Sequence, residues 1–161
     1  MTTSNHTPAW GSVTSSAVDQ ACRLASRACT VCWWASTTSS AMPAVAEELA
    51  DAPGTRDGDV TVVHRGEEKR SLALRDEFEH LTASAPVTLH LRTGPPVPGS
   101  WLPPTTGHRL ADPEALTALV PRLRDHDVYV CGPPARMQLV HRSLADAGVP
   151  RHQVHDERFG W

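Results

Sequence analysis

The stretch best suited to chemistry in this chain is Asp127-Val-Tyr-Val-Cys-Gly-Pro-Pro-Ala-Arg-Met137, where a thiol ends an apolar run and glycine and proline follow at once. The β-branched and aromatic residues read as a buried strand, Gly132 and Pro133 as a sharp turn, and Ala135 onward as a helix. That order places Cys131 at a strand's carboxyl end. The backbone N–H groups and positive dipole end of the next helix would lie beside it, where an anion or a polarised amide is favoured. The same residues also suit a plainer role, a strand-end cysteine that packs into a core.

Other reactive types are less well placed. Cys29 and Cys32 have C-x-x-C spacing, with Cys22 nearby. A redox pair wants its first thiol at a helix N-terminus, where the thiolate is stabilised. Here the pair sits in an apolar, strand-like run leading into Trp33 and Trp34. A zinc site needs a second pair of ligands at suitable spacing, which the sequence lacks. These cysteines are therefore expected to be buried or adventitious thiols. His152 and His155 would point to opposite faces of a strand, so no metal site is expected from them. His64, His80, His90, His108, His126 and His141 read as surface or strand-end polarity. The nucleophile elbow of serine hydrolases, Gly-x-Ser-x-Gly, is absent from the sequence.

The elements that must position Cys131 follow from periodicity. Cys29–Trp34, Val60–His64, Val87–Leu91 and Asp127–Cys131 read as strands, with a short one at Gln153–His155. Helices are expected after Pro43, over Ser71–Thr82, from Asp112-Pro113-Glu114 with Asp112 as N-cap, and over Ala135–Ala147 with Gly148 as the stop. Gly94 to Gly107 is a Pro/Gly-rich loop carrying Trp101, a residue that either covers a ligand or anchors the loop to the core. Strands alternating with helices at these intervals predict an α/β fold with a mostly parallel, Rossmann-like sheet and flanking helices. Its strands' carboxyl ends would share one edge, where open α/β sheets bind ligands.

Composition bounds the rest. The chain has 161 residues and a formal charge of −3, enough for one α/β domain and too few for two. No basic stripe suggests nucleic acid. No apolar run reaches membrane-spanning length. Met1 to Gly11 does not resemble a secretory signal, so a cytoplasmic location with reduced thiols is expected. The residues are unevenly distributed. Residues 1–40 hold 15 Ser/Thr and three of the four Cys, and up to Ala46 the only charges are Asp19, Arg23 and Arg27. This split sets an atypical segment, 1–40, apart from a patterned domain, 41–161.

Within that domain, Val-Tyr-Val-Cys-Gly-Pro-Pro134, then Gly148-Val-Pro150 and His155-Asp-Glu-Arg-Phe159, resemble the nicotinamide-binding half of ferredoxin–NADP reductase-like flavoenzymes. The closest likeness is to the soluble portion of ferric reductase-like oxidoreductases. Val62-Val-His-Arg65 and Arg75-Asp-Glu-Phe78 are similar to that family's second strand and following helix. The resemblance implies an NAD(P)-binding domain that supports hydride transfer between NAD(P)H and a flavin, FAD, held by a separate or missing domain. It implies that Cys131 and Glu157 lie by the nicotinamide and that Gly132 and Pro133 let the backbone approach the ring amide or pyrophosphate. Met137 would adjoin them, chiefly by packing. Phe159, or Trp161, would stack on an aromatic cofactor ring. Arg65, just after its strand, would meet the adenosine ribose or a 2′-phosphate; as a plain residue it reads as a solvated loop charge. The expected partners are thus a nicotinamide nucleotide and a flavin-domain protein.

The chain also departs from that pattern. Where the family carries a glycine-rich phosphate loop after its first strand, Thr37-Thr-Ser-Ser-Ala-Met-Pro43 has no glycine. Close approach of backbone to phosphate favours glycine there. Two readings follow: residues 1–40 replace the family's usual start, as a shifted reading frame or start codon would cause, or the domain is a non-catalytic remnant or interaction domain that keeps the fold without binding the nucleotide.

Overall fold

Each apolar run of the sequence becomes a strand, and the strands pair in parallel. The computed structural model describes residues 29–34, 41–72, 74–103 and 110–157, without the side chains of 29–34, 41, 42, 71 and 157. Strands β1 (Cys29–Trp34), β2 (Val60–Gly66), β3 (Val87–Thr93), β4 (Asp127–Cys131) and β5 (Val154–Glu157) form one sheet in the order β3-β2-β1-β4-β5. Parallel neighbours need crossovers. These are supplied by α1 (Ala41–Ala50), α2 (Arg75–Ser84), α3 (Asp112–Leu119) and α4 (Pro134–Asp146). The expected α/β, Rossmann-like fold is the one observed. β1 lies inside the segment set apart by composition, yet it is the middle strand, paired with β2 and β4.

Strand alternation divides the core into two layers. Val60, Val62, Tyr129 and Cys131 pack with Val45, Ala46 and Leu49 of α1 and Phe78 and Leu81 of α2. Val63, Val128 and Val130 pack on the opposite face with Leu116 of α3 and Met137, Val140 and Leu144 of α4. A parallel sheet covered on both faces buries nearly every strand residue; all of β2 and β4 is buried. No helix among the described residues is long and apolar enough to cross a membrane.

Several boundaries differ from the sequence expectation, each for a physical reason. The helix expected from Ser71 begins only at Arg75, because Leu74 takes a left-handed conformation, φ 56° and ψ 26°. That conformation costs a residue with a Cβ about 1–2 kcal/mol. Leu74 packs against the core formed by Phe78 and Leu81, and this burial offsets the strain. Asp112 is not the N-cap of α3; Ala111 is. The Asp112 carboxylate instead accepts hydrogen bonds from the Ser100 hydroxyl and the Trp101 backbone N–H. Gln153 precedes β5, and its amide donates to the Arg124 and His126 carbonyls. Gly148 does end the last helix, at φ 82°. A Cβ there would lie 2.9 Å from the Arg124 side chain. His64 and His126, expected at surfaces or strand ends, are 0% and 1% exposed.

Candidate functional site

Because all five strands are parallel, their carboxyl ends meet at one edge. The chain winds outward from β1 through β2 to β3, then crosses the sheet to β4 and β5. The strand order reverses between β1 and β4, and open α/β sheets take ligands at such a switch point.

Cys131 ends β4 at this switch point. Its backbone register partners are Trp33 on β1 and Glu157 on β5. The structure therefore brings the two proposed catalytic positions side by side on neighbouring strands. The Cys131 side chain is 2% exposed and packs in the α1/α2 layer. Gly132, at φ 157°, turns the chain out of the sheet in a conformation that glycine tolerates best. Pro133 then caps α4 and Pro134 opens it. Neither proline has an N–H, and the Arg136 and Met137 amides both close onto the Pro133 carbonyl. This turn accordingly presents fewer amide donors than an ordinary helix start. Met137 is buried in the α3/α4 layer, in keeping with a packing role. Phe159 and Trp161 lie outside the described residues.

β5 is held by side chains on both of its faces. His155 Nε2 lies 3.2 Å from Asp127 Oδ1, and its ring stacks on Tyr129 with centroids 4.9 Å apart. One residue on, and so on the opposite face, Asp156 meets His141 Nε2 at 2.6 Å. These contacts set the strand that carries Glu157 against β4.

Arg65 departs from its sequence reading. It lies within β2 rather than after it and is 1% exposed, so it is not a solvated loop charge. Its Nε donates to the Trp101 carbonyl at 3.1 Å. Its Nη2 donates to the carbonyls of Gly94 and Pro95 at 2.7 and 3.2 Å. Burial lowers its pKa, Arg136 adds to that, and Glu67 opposes it; an arginine nevertheless stays charged. The cation ties the loop after β3 to the carboxyl end of β2.

The same loop is fastened elsewhere. Arg136, one turn past Cys131, donates to the Ser100 carbonyl at 3.3 Å. Trp101 is 2% exposed, and its indole N–H donates to the Ser143 hydroxyl at 3.1 Å. Trp101 thus anchors the loop. The sequence reading missed Arg136, Ser100 and Asp112 as a set because they come together only across 12 to 36 residues of chain. The one local signal was the Gly94-Pro-Pro start of a long loop.

His64 lies beneath this edge, on the α1/α2 side. Its ring meets Phe78 edge-on at 5.4 Å, and burial lowers its pKa to about 4. It is therefore neutral at pH 7. A cavity of about 480 Å³ opens on the α3/α4 side, between Ser100, Asp112, Arg142 and Asp146. None of the candidate residues lines it. Among the described residues, no group of three or more His, Cys, Asp or Glu side chains is arranged to hold a metal.

No family model matches the chain. It is 33% identical over 102 residues to the ferredoxin reductase component of 3-ketosteroid-9-alpha-monooxygenase from Mycobacterium tuberculosis, a match covering 63% of this chain and 26% of that protein. It is 53% identical over 38 residues to the flavohemoprotein of Bordetella pertussis, covering 24% of this chain and 10% of the relative. The chain thus spans about a quarter, or less, of the curated relatives it matches. In fold it is similar to the flavohem-like FAD/NAD-binding domain of nitric oxide dioxygenase from Vibrio cholerae, with a TM-score of 0.60 and 19% identity over 84% of this chain and 52% of that one. With the β3-β2-β1-β4-β5 sheet and the Cys-Gly-Pro turn at its edge, the chain is similar in part of its sequence to ferredoxin reductase components and flavohemoproteins, and it has the fold of the NAD(P)-binding domains of ferredoxin reductase-like proteins.

Proposed function

We propose that the chain is the NAD(P)H-binding module of an electron-transferring flavoenzyme, working with a flavin held by another domain or chain. The observation that carries this reading is the placement of Cys131, Gly132 and Glu157 on adjacent strands at the switch point of a parallel sheet. The residues present fit the nicotinamide end of the nucleotide. Gly132 leaves room for a close backbone approach, and Cys131 offers a small apolar wall. When bound, the nicotinamide supplies a hydride, and the protein's part is to place it.

The chain's own residues divide that work. Cys131 and Gly132 shape the floor beneath the ring, and Pro133 and Pro134 stiffen the turn that follows. Glu157 is brought alongside by β5, which the His155–Asp127 and His141–Asp156 contacts hold in place. Met137 packs behind the turn. Arg65 acts through the loop that its guanidinium holds. Phe159 is proposed to stack on a cofactor ring. Relatives named as ferredoxin reductase components and flavohemoproteins support electron transfer as the reaction class.

The second reading, a fold kept without nucleotide binding, is favoured by one observation. Six residues link β1 to α1, and none of them is glycine. Thermal melting of the full chain separates the two readings. A ligand that binds only the folded state raises its stability by RT ln(1 + [L]/Kd). A rise in melting temperature with millimolar NADH or NADPH is expected; no rise with either overturns the nucleotide-binding reading.

A further inference from the structure

We infer that His155, backed by the buried carboxylate of Asp127, fixes the register of β5 against β4 and is thereby a positioning residue for Glu157 in the nucleotide site. The inference rests on the nucleotide-binding reading above and deepens it. β5 needs such a device. It is an edge strand of four residues, Val154–Glu157, with β4 as its one neighbour in the sheet. Val154 is its only apolar residue and packs against the α3/α4 layer. The three that follow, His155, Asp156 and Glu157, place polar side chains on both faces. Hydrophobic pattern specifies the register of such a strand only weakly. A shift of two residues would keep each side chain on its face and take Glu157 away from Cys131.

Side chains on one face oppose that shift. His155 stands opposite Tyr129 in the ladder, and the two rings stack with centroids 4.9 Å apart and planes at 29°. Asp127 lies two residues before Tyr129, on the same face, and its Oδ1 is 3.2 Å from His155 Nε2. Asp127 is 2% exposed, and its Oδ2 has no hydrogen-bond partner. Among the described residues, His155 is the side chain that meets this carboxylate. A buried acid with a single partner adds little stability over an apolar pair, and fixing register is the best-attested use of such groups. Glu157 follows His155 by two residues, on the same face and in register with Cys131. Moving β5 by two residues in either direction breaks the stack and the Asp127 contact together. The pair on the other face, His141 with Asp156, is more exposed and ties β5 to α4 rather than to β4.

Calorimetric titration of the full chain with NADH and with NADPH tests this. Replacing the pair by apolar residues, Asp127→Leu with His155→Leu, leaves no unpaired buried charge, so this chain is expected to keep a cooperative thermal melt. Its affinity for the tighter-binding nucleotide is expected to fall about tenfold. Glu157→Gln is expected to weaken binding in the unaltered chain and to add nothing in the doubly substituted one, where the strand no longer presents it. A second comparison does not depend on the paired change. His155→Gln keeps a donor for Asp127 and is expected to bind at least about threefold more tightly than His155→Ala. Unchanged affinity in the doubly substituted chain overturns the inference, as do equal losses from Glu157→Gln in both backgrounds. Equal binding by His155→Gln and His155→Ala also overturns it, and so does the absence of any loss from Glu157→Gln in the unaltered chain. All four outcomes leave the nucleotide-binding reading standing. No binding of either nucleotide by the unaltered chain overturns that reading, and the inference with it.

Discussion

Cys131 lies in an apolar layer, where its side chain is 2% exposed. Its proposed contribution is shape at the point where the nicotinamide rests. Cys131→Ala is expected to slow flavin reduction about tenfold in stopped-flow measurements with a flavin-loaded partner domain. The same change should cost about 1–2 kcal/mol of stability by denaturant unfolding; an unchanged rate would remove Cys131 from the site. His64 makes a separate prediction. Its pKa in the folded chain is about 4, below the ordinary 6.5, so the unfolded state binds more protons between those values. Stability contributed by neutral His64 is present above about pH 6.5 and is lost as pH falls toward 4, by up to about 3 kcal/mol. Melting temperature should drop across that window, and His64→Leu should flatten the drop. His90, whose pKa is lowered first by burial and then by Arg92, adds to the slope in the same direction.

The loop after β3 is the element on which the site's outer wall depends. It is tied to β2 by Arg65, to α3 by Asp112 and to α4 by Arg136 and Ser143. Trp101 is the central anchor, since its ring fills the α3/α4 layer while its N–H reaches Ser143. Trp101→Ala should cost about 3–5 kcal/mol. Trp101→Phe, which keeps most of the ring and loses the hydrogen bond, should cost about 1 kcal/mol. Chemical denaturation measures both, and equal losses would show that the indole N–H, not packing, carries the anchor. The sequence showed that a long Pro/Gly-rich loop with one tryptophan lay here. It did not show that Asp112, placed by its neighbours as an ideal N-cap, would turn away from the helix to hold that loop. Local propensity ranks N-caps by type, whereas two donors brought up from the loop at Ser100 and Trp101 are a stronger claim on one carboxylate.

At the scale of the whole molecule, the sheet order decides what the chain can do. The switch point between β1 and β4 exists only because β1 takes the middle position. Composition sets residues 1–40 apart, but the run Cys29–Trp34 inside them completes the sheet. If the reading as one module of a flavoenzyme holds, the chain binds NAD(P)H and transfers no electrons alone. NADH absorbance is expected to stay constant with the purified chain and to fall when a flavin-loaded domain from a family relative is added. Rapid NADH oxidation by the chain without flavin would contradict that division of labour.

The sequence by itself determined the elements, their parallel arrangement and the edge at which a ligand would bind. Those features follow from short-range periodicity, turn residues and the burial that a parallel sheet demands. It also marked Cys131 and Gly132 through their positions at a strand end, and Glu157 through its resemblance to a family motif. Only the tertiary structure decided where Arg65 points. As a charge followed by glycine and two acids it reads as exposed, yet three carbonyls from 29 to 36 residues downstream supply the acceptors that make its burial favourable. Partners that distant leave no trace in local pattern.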